Sequence, residues 1–191
     1  MTIEVKVEIP TPTITMTHHA WVTWAEIAIR HEAFAREARA VGDVYEYRPG
    51  LVALTSAAFS LDALYGVARQ LVPDPGTRGD RGAMVAERLK RGVSPGKLAA
   101  TWPKRIRHLF DERDAAVHFG EATVSPVWHP DLNSNVDPHV LRWGADTGTE
   151  AVDLLVDVLT TWADHPSKLT TQWSEACKPS VRALEELRGN Y

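Results

Sequence analysis

The residues best suited to chemistry in this 191-residue chain stand in one run, Arg113-Asp114-Ala115-Ala116-Val117-His118. Arginine is a permanent cation. Histidine gains and loses a proton near neutral pH. Asp114 precedes His118 by four residues, so on a helix the two side chains are neighbours on one face. A carboxylate beside an imidazole fixes its orientation and raises its pKa. Arg113 lies five residues before His118, about 140° round a helix and roughly 7.5 Å along it. Its long side chain can share a site with the histidine across that gap. Metal-free cleavage of RNA needs such parts: a base takes the 2′-OH proton, and a cation stabilises the charged phosphorane. Lys104, Arg105, Arg107 and His108 precede the run and would guide a phosphate backbone.

These residues need a helix to position them. Pro103 suits a first helical position, where its missing N–H costs nothing. Gly120 supplies a stop, so the spacing predicts a helix from about 103 to 119. Its apolar stripe is Ile106, Phe110 and Val117, with Leu109 alongside. The same spacing passes through Arg113. A guanidinium on an apolar stripe is costly unless an anion or acceptor meets it, so Arg113 calls for a partner.

Six further elements follow from periodicity and breakers. Residues 3–9 alternate in polarity with β-branched side chains and read as a strand, ended by Pro10 and Pro12. A helix over about 18–41 carries Ala20, Trp24, Ile27, His31, Phe34, Ala38 and Val41 on one face. His31 reads as a core histidine. Pro49-Gly50 marks a turn, and a helix over about 51–72 follows, apolar on more than one side and therefore central. Residues 73–82 form a glycine-rich loop whose Gly76-Thr77-Arg78-Gly79 lacks the Gly-Lys-Ser/Thr ending of a phosphate loop. A short helix spans about 82–92. The stretch 121–148, rich in proline, asparagine and glycine, reads as a long irregular connection. Thr147 or Thr149 would cap a helix over about 150–163. A last helix, about 167–187, would be kinked or divided by Pro179. The expected fold is all-α: an up-and-down bundle of five to six helices with a short N-terminal β-strand or hairpin. Residues 1–16 form an extended arm and 17–191 the bundle. Trp24, Trp162 and Trp173 belong to its core, while Trp102 and Trp128 serve as interface or loop anchors.

Composition narrows the function. A net charge of −4 argues against a broadly basic nucleic-acid coat but allows a local basic patch. The single cysteine, Cys177, cannot form an internal disulfide and reads as a small core residue. The first ten residues lack a basic start followed by an apolar run, and no stretch approaches the ~18 apolar residues of a membrane span. A cytoplasmic protein without a membrane partner is expected. No His-x-x-x-His or Glu-x-x-His pair falls on an expected helix, so no metal site and no cofactor are expected.

Arg-Asp-Ala-Ala-Val-His resembles the Arg-polar-x-x-x-His motif of HEPN domains. The segment from Ser56 to Tyr65, a small-aromatic-small run followed by Asp62, resembles the second helix of several HEPN families. The resemblance implies an α-helical bundle over about 18–188, commonly a homodimer. In catalytic members, two motif helices meet in a composite, metal-independent endoribonuclease site, often within toxin–antitoxin, phage-defence or RNA-processing systems. It implies Arg113 and His118 as catalytic, Asp114 as the polar motif residue, RNA as substrate and an antitoxin as a partner. The 121–148 stretch and the N-terminal strand lie outside that pattern.

Three other readings compete. In a non-catalytic dimerisation module, Arg113 pairs with a carboxylate such as Asp62 or Asp114 and His118 stabilises its helix end. A metal-dependent bundle enzyme would use some of the eight histidines. A helix-turn-helix regulator is disfavoured by the acidic balance.

Overall fold

Small side chains set how closely the two longest helices approach. Helix α1 (Ala20–Ala40) buries Trp21, Ile29 and four alanines, Ala25, Ala28, Ala33 and Ala35. Helix α2 (Tyr47–Leu71) buries Ala53, Ala57, Ala58 and Ala68 beside Leu54, Leu61 and Leu64. With few bulky groups between them the helices form a close hairpin. Ser60 seals it by donating its hydroxyl proton to the Trp21 carbonyl at 2.7 Å. The computed structural model describes residues 19–96, 98–118 and 125–191. The expected strand at 3–9 and the arm at 1–16 lie outside these residues.

The other helices are α3 (Arg81–Arg91), α4 (Trp102–Val117), α5 (Pro138–Trp143), α6 (Ala145–Asp164) and α7 (Thr171–Gly189). Helix α6 lies against α2 and α1, and α7 packs on α6 and α1. Helices α3 and α4 pair with each other and with α2. One core joins them all. Val85 and Leu89 of α3, Trp102, Ile106 and Phe110 of α4, and Val152, Leu155 and Trp162 of α6 meet the leucines of α2. The fold is therefore an all-α bundle, with one small antiparallel hairpin, β1 (Val127–His129) and β2 (Ser134–Val136).

Several expectations need correction. Pro49 and Gly50 do not form a turn; they lie in the first turn of α2, which starts at Tyr47. Proline is tolerated there because its missing N–H would be unsatisfied anyway. Gly50 is required for space, since a Cβ would sit 2.4 Å from the Trp143 carbonyl oxygen. Of the stretch 121–148, residues 121–124 lie outside the described residues, and the rest holds β1, β2, α5 and the start of α6. Helix α6 starts at Ala145 without a side-chain cap. Thr147 donates back to the Arg142 carbonyl at 2.7 Å, and Thr149 to Glu32 at 3.2 Å. Helix α7 runs through Pro179 without dividing. Pro179 is exposed, so water can serve the carbonyl it leaves free.

Burial also departs from the expected stripes. Trp102 is fully buried rather than an interface anchor, Trp24 is exposed rather than core, and Trp128 is exposed. The whole Trp24–Val41 stripe of α1 lies outside the core, which instead takes the neighbouring face. His31 is half-buried, its Nδ1 enclosed without a hydrogen-bond partner among the described residues. Within Val44–Leu71 the most apolar 18-residue window has a mean hydropathy of 1.5, enough by length and composition for a membrane span, contrary to the sequence reading. More than half of that window is buried inside the bundle, as in a core helix.

Candidate functional site

Helix α4 turns its first three turns into the core through Trp102, Ile106, Leu109 and Phe110. The stripe then leaves the core. Val117, expected inward, is exposed, while its neighbours Ala115 and Ala116 are the residues packed against the core. Arg113 sits where burial gives out, its side chain 16% exposed. Its guanidinium carbon lies 4.6 Å from the centre of the Phe110 ring, a cation–π contact. Its Nε donates to Asp114 Oδ1 at 2.9 Å, and a second guanidinium nitrogen donates to the same oxygen. The partner that the stripe position demanded is thus the adjacent residue, while Asp62 pairs with Arg81 at 2.7 Å.

This contact redirects Arg113. At 100° per residue its Cα points about 140° away from that of His118. Bending over Phe110 to reach Asp114 carries the guanidinium round the helix toward the face that holds Asp114 and His118. Asp114 is 55% exposed, and His118 is exposed at the C-cap. The His118 backbone N–H donates to the Asp114 carbonyl at 3.0 Å. Among the described residues the His118 ring has no hydrogen-bond partner, so the expected Asp114–imidazole bond is absent: Arg113 occupies that carboxylate instead.

The four basic residues upstream are partnered unequally. Arg105 turns to Asp157 of α6 at 3.4 Å, beside the Trp102 indole N–H that donates to the same carboxylate at 3.0 Å. Arg107 pairs at 3.1 Å with Asp80. That aspartate caps α3 by accepting the Ala83 N–H at 2.7 Å. This backbone bond, together with Arg107, holds its carboxyl below the usual range. Lys104 and His108 carry no ion pair to a described side chain. They line a shallow cleft of about 480 Å³ with Pro103, Arg107 and Asp111.

Sequence reasoning missed Glu112. Its carboxylate accepts from Arg142 Nε at 2.9 Å and from a second Arg142 nitrogen at 3.3 Å. The Trp143 indole N–H adds a third bond at 3.2 Å. Burial pushes its carboxyl up, but the Arg142 hydrogen bonds and charge, the Trp143 N–H and the charge of His108 outweigh it and leave it lowered. The clamp ties α4 to α5. No local signal announces it, because its partners lie about thirty residues away. Among the described residues no cluster of histidine, cysteine, aspartate and glutamate has the arrangement of a metal site. Comparison of the chain with protein-family models, curated proteins and solved structures finds no match.

Proposed function

We propose that this is a HEPN-like protein that cleaves RNA without a metal ion, using Arg113 and His118 at the end of α4. The observation that supports the reading is the bend of Arg113 to Asp114, which brings a cation toward the face carrying His118. In this mechanism His118 takes the 2′-OH proton of the substrate. The 2′ oxygen bonds to phosphorus as the bond from phosphorus to the 5′ oxygen breaks, and that oxygen takes up a proton. The products end in a 2′,3′-cyclic phosphate and a 5′-OH. Arg113 stabilises the phosphorane, and Lys104 and His108 contact the backbone. A phosphate must displace the Asp114 carboxylate from Arg113. The Asp114 carboxylate is more than half exposed, so water competes for it and a phosphate can take its place.

The test is cleavage of a mixed RNA pool by the purified protein in excess chelator, with expression toxicity as a cellular readout. Arg113→Ala and His118→Ala should each lower the rate about 100-fold or more. Both residues lie at the surface end of α4, so helix content should be retained. Wild-type protein that leaves RNA intact, or variants that cleave as fast as wild type, would sink the reading.

A second reading has its own support. The Arg113–Asp114 pair also suits a non-catalytic interaction module in which it orders the end of α4. Under that reading both variants leave RNA untouched, as does the wild type. A toxin–antitoxin or phage-defence setting, with an antitoxin as partner, rests on the resemblance alone.

A further inference from the structure

Arg88 of α3 is a buried cation with a poorly matched partner. Its side chain is 7% exposed. One guanidinium nitrogen donates to the Val72 carbonyl at 2.6 Å, which ties α3 to the end of α2. The Tyr65 ring flanks the group, its centre 5.9 Å from the guanidinium carbon. Among the described residues the one carboxylate that meets Arg88 is Asp74, 3.3 Å from a second nitrogen and itself 77% exposed. A charge taken out of water needs a partner taken out of water with it. Arg39 has one in the buried Glu46. Arg88 has only a solvated aspartate.

Arg88 and Asp74 both line a cavity of about 550 Å³. Volumes of this size hold small organic ligands. A second arginine, Arg69 in the last turn of α2, lines the same cavity. It is exposed and carries no ion pair to a described side chain. Two guanidinium groups against one carboxylate leave the cavity with a positive balance. Part of its wall is apolar: Leu71, Pro73 and Leu169, the last 53% exposed.

We infer that this cavity binds a small organic phosphomonoester. The phosphate takes the place of Asp74 on Arg88 and is met by Arg69, while an apolar body rests on Leu169. The charge favours phosphate: two planar guanidinium forks suit a dianion with three terminal oxygens better than a singly charged carboxylate. The burial favours it too. Arg88 is already held by the Val72 carbonyl and the Tyr65 ring, so a ligand does not have to order it. The size favours an ester over the free ion. A bare phosphate fills only a small part of the cavity, and the space left faces apolar side chains. Asp74 is an exchangeable competitor, because an ion pair to an exposed carboxylate is weak. The site is built from α2, α3 and the loop before α7 and uses none of Arg113, Asp114 or His118, so the inference stands apart from the proposed function.

Titration calorimetry of the full chain at low salt, with inorganic phosphate and phenyl phosphate as probes, tests it. Phenyl phosphate should bind with a Kd below about 1 mM and about tenfold more tightly than inorganic phosphate. Arg69→Ala should weaken binding about tenfold or more, with helix content unchanged because the side chain is exposed. Asp74→Asn keeps the acceptor that holds the Gly76 N–H at 2.9 Å but removes the competing charge. It should tighten binding about threefold. That gain separates a binding site from a purely structural Arg88, for which losing the aspartate charge brings no affinity. Lys178→Ala, which removes a cation from α7, should bind as the wild type does. The inference falls if phenyl phosphate shows no binding at about 5 mM, or if inorganic phosphate binds as tightly. It falls equally if Arg69→Ala binds no more weakly than Lys178→Ala, or if Asp74→Asn gains no affinity. None of these outcomes depends on RNA cleavage.

Discussion

Arg39 on α1 holds Glu46, Asp131 and Asp146 together, and their unequal burial makes an unequal prediction. Glu46 is fully buried, at the start of α2. Arg39 donates to both of its carboxylate oxygens, one at 2.6 Å. Asp131 in the β-hairpin turn, at 2.7 Å, and Asp146 in the first turn of α6, at 3.5 Å, are both well exposed. The hydrogen bonds to Glu46 keep the Arg39 guanidinium more firmly protonated than usual. Arg39→Ala strands a buried carboxylate, and breaking a buried pair from one side costs ~3–5 kcal/mol. Asp131→Asn and Asp146→Asn each remove an exposed partner, so ~0.2–1 kcal/mol is expected. Replacing both buried charges, Arg39→Met with Glu46→Leu, should recover most of the loss, because no unpaired charge remains. Equilibrium urea unfolding gives each value from the midpoint at constant slope. The reasoning fails if Arg39→Ala costs under about 1 kcal/mol, or if the double variant is no more stable than Arg39→Ala alone.

Two further tests concern other contacts. Glu112 should add a pH dependence: its folded carboxyl titrates below its ordinary value of 4.5. Its contribution is therefore full above that value and is lost as pH falls toward the folded pKa. Thermal melts from pH 7 to 3 should show a steeper fall for wild type than for Glu112→Gln, and parallel curves would refute the clamp. Gly92 meets Trp162 so closely that a Cβ would lie 2.1 Å from a ring carbon, whereas a Cβ at Gly66 meets nothing within 4 Å. Gly92→Ala should lose ~1–3 kcal/mol or more through overpacking, and Gly66→Ala should gain up to ~1 kcal/mol of helix propensity; calorimetry separates the two signs.

The sequence made the bundle legible because the rules that define its elements are local. Pro103 lies in the first turn of α4, where its missing N–H costs nothing, whereas α5, inside the stretch read as irregular, was not legible. The apolar run of α2 needed no partner to read as central. Local rules gave out where two surfaces compete for one helix. On α1, hydropathy favours the stripe of Trp24, Ile27, Phe34 and Val41, yet the bundle buries the face made of alanines and Glu32. Alanines allow α2 to approach closely, and Glu32 finds Arg36 at 3.1 Å and Thr149 at 3.2 Å. Periodicity detects an apolar face but does not say whether the same molecule covers it.

Arg113 shows the same boundary from the other side. Its stripe position announced a charge needing a partner, and that argument is sound wherever the stripe stays buried. Phe110 is the last fully buried residue of α4, however, so Arg113 stacks on that ring and takes the nearest carboxylate. The anomaly marks the place where α4 passes from scaffold to surface. A cation held there by an exposed aspartate is available to an incoming anion, as one sealed by a buried partner would not be. Arg39, whose buried Glu46 is not exchangeable, is the contrasting case within the same chain. The difference in burial between Asp114 and Glu46, rather than the presence of an ion pair, makes Arg113 the candidate for binding and Arg39 the candidate for stability.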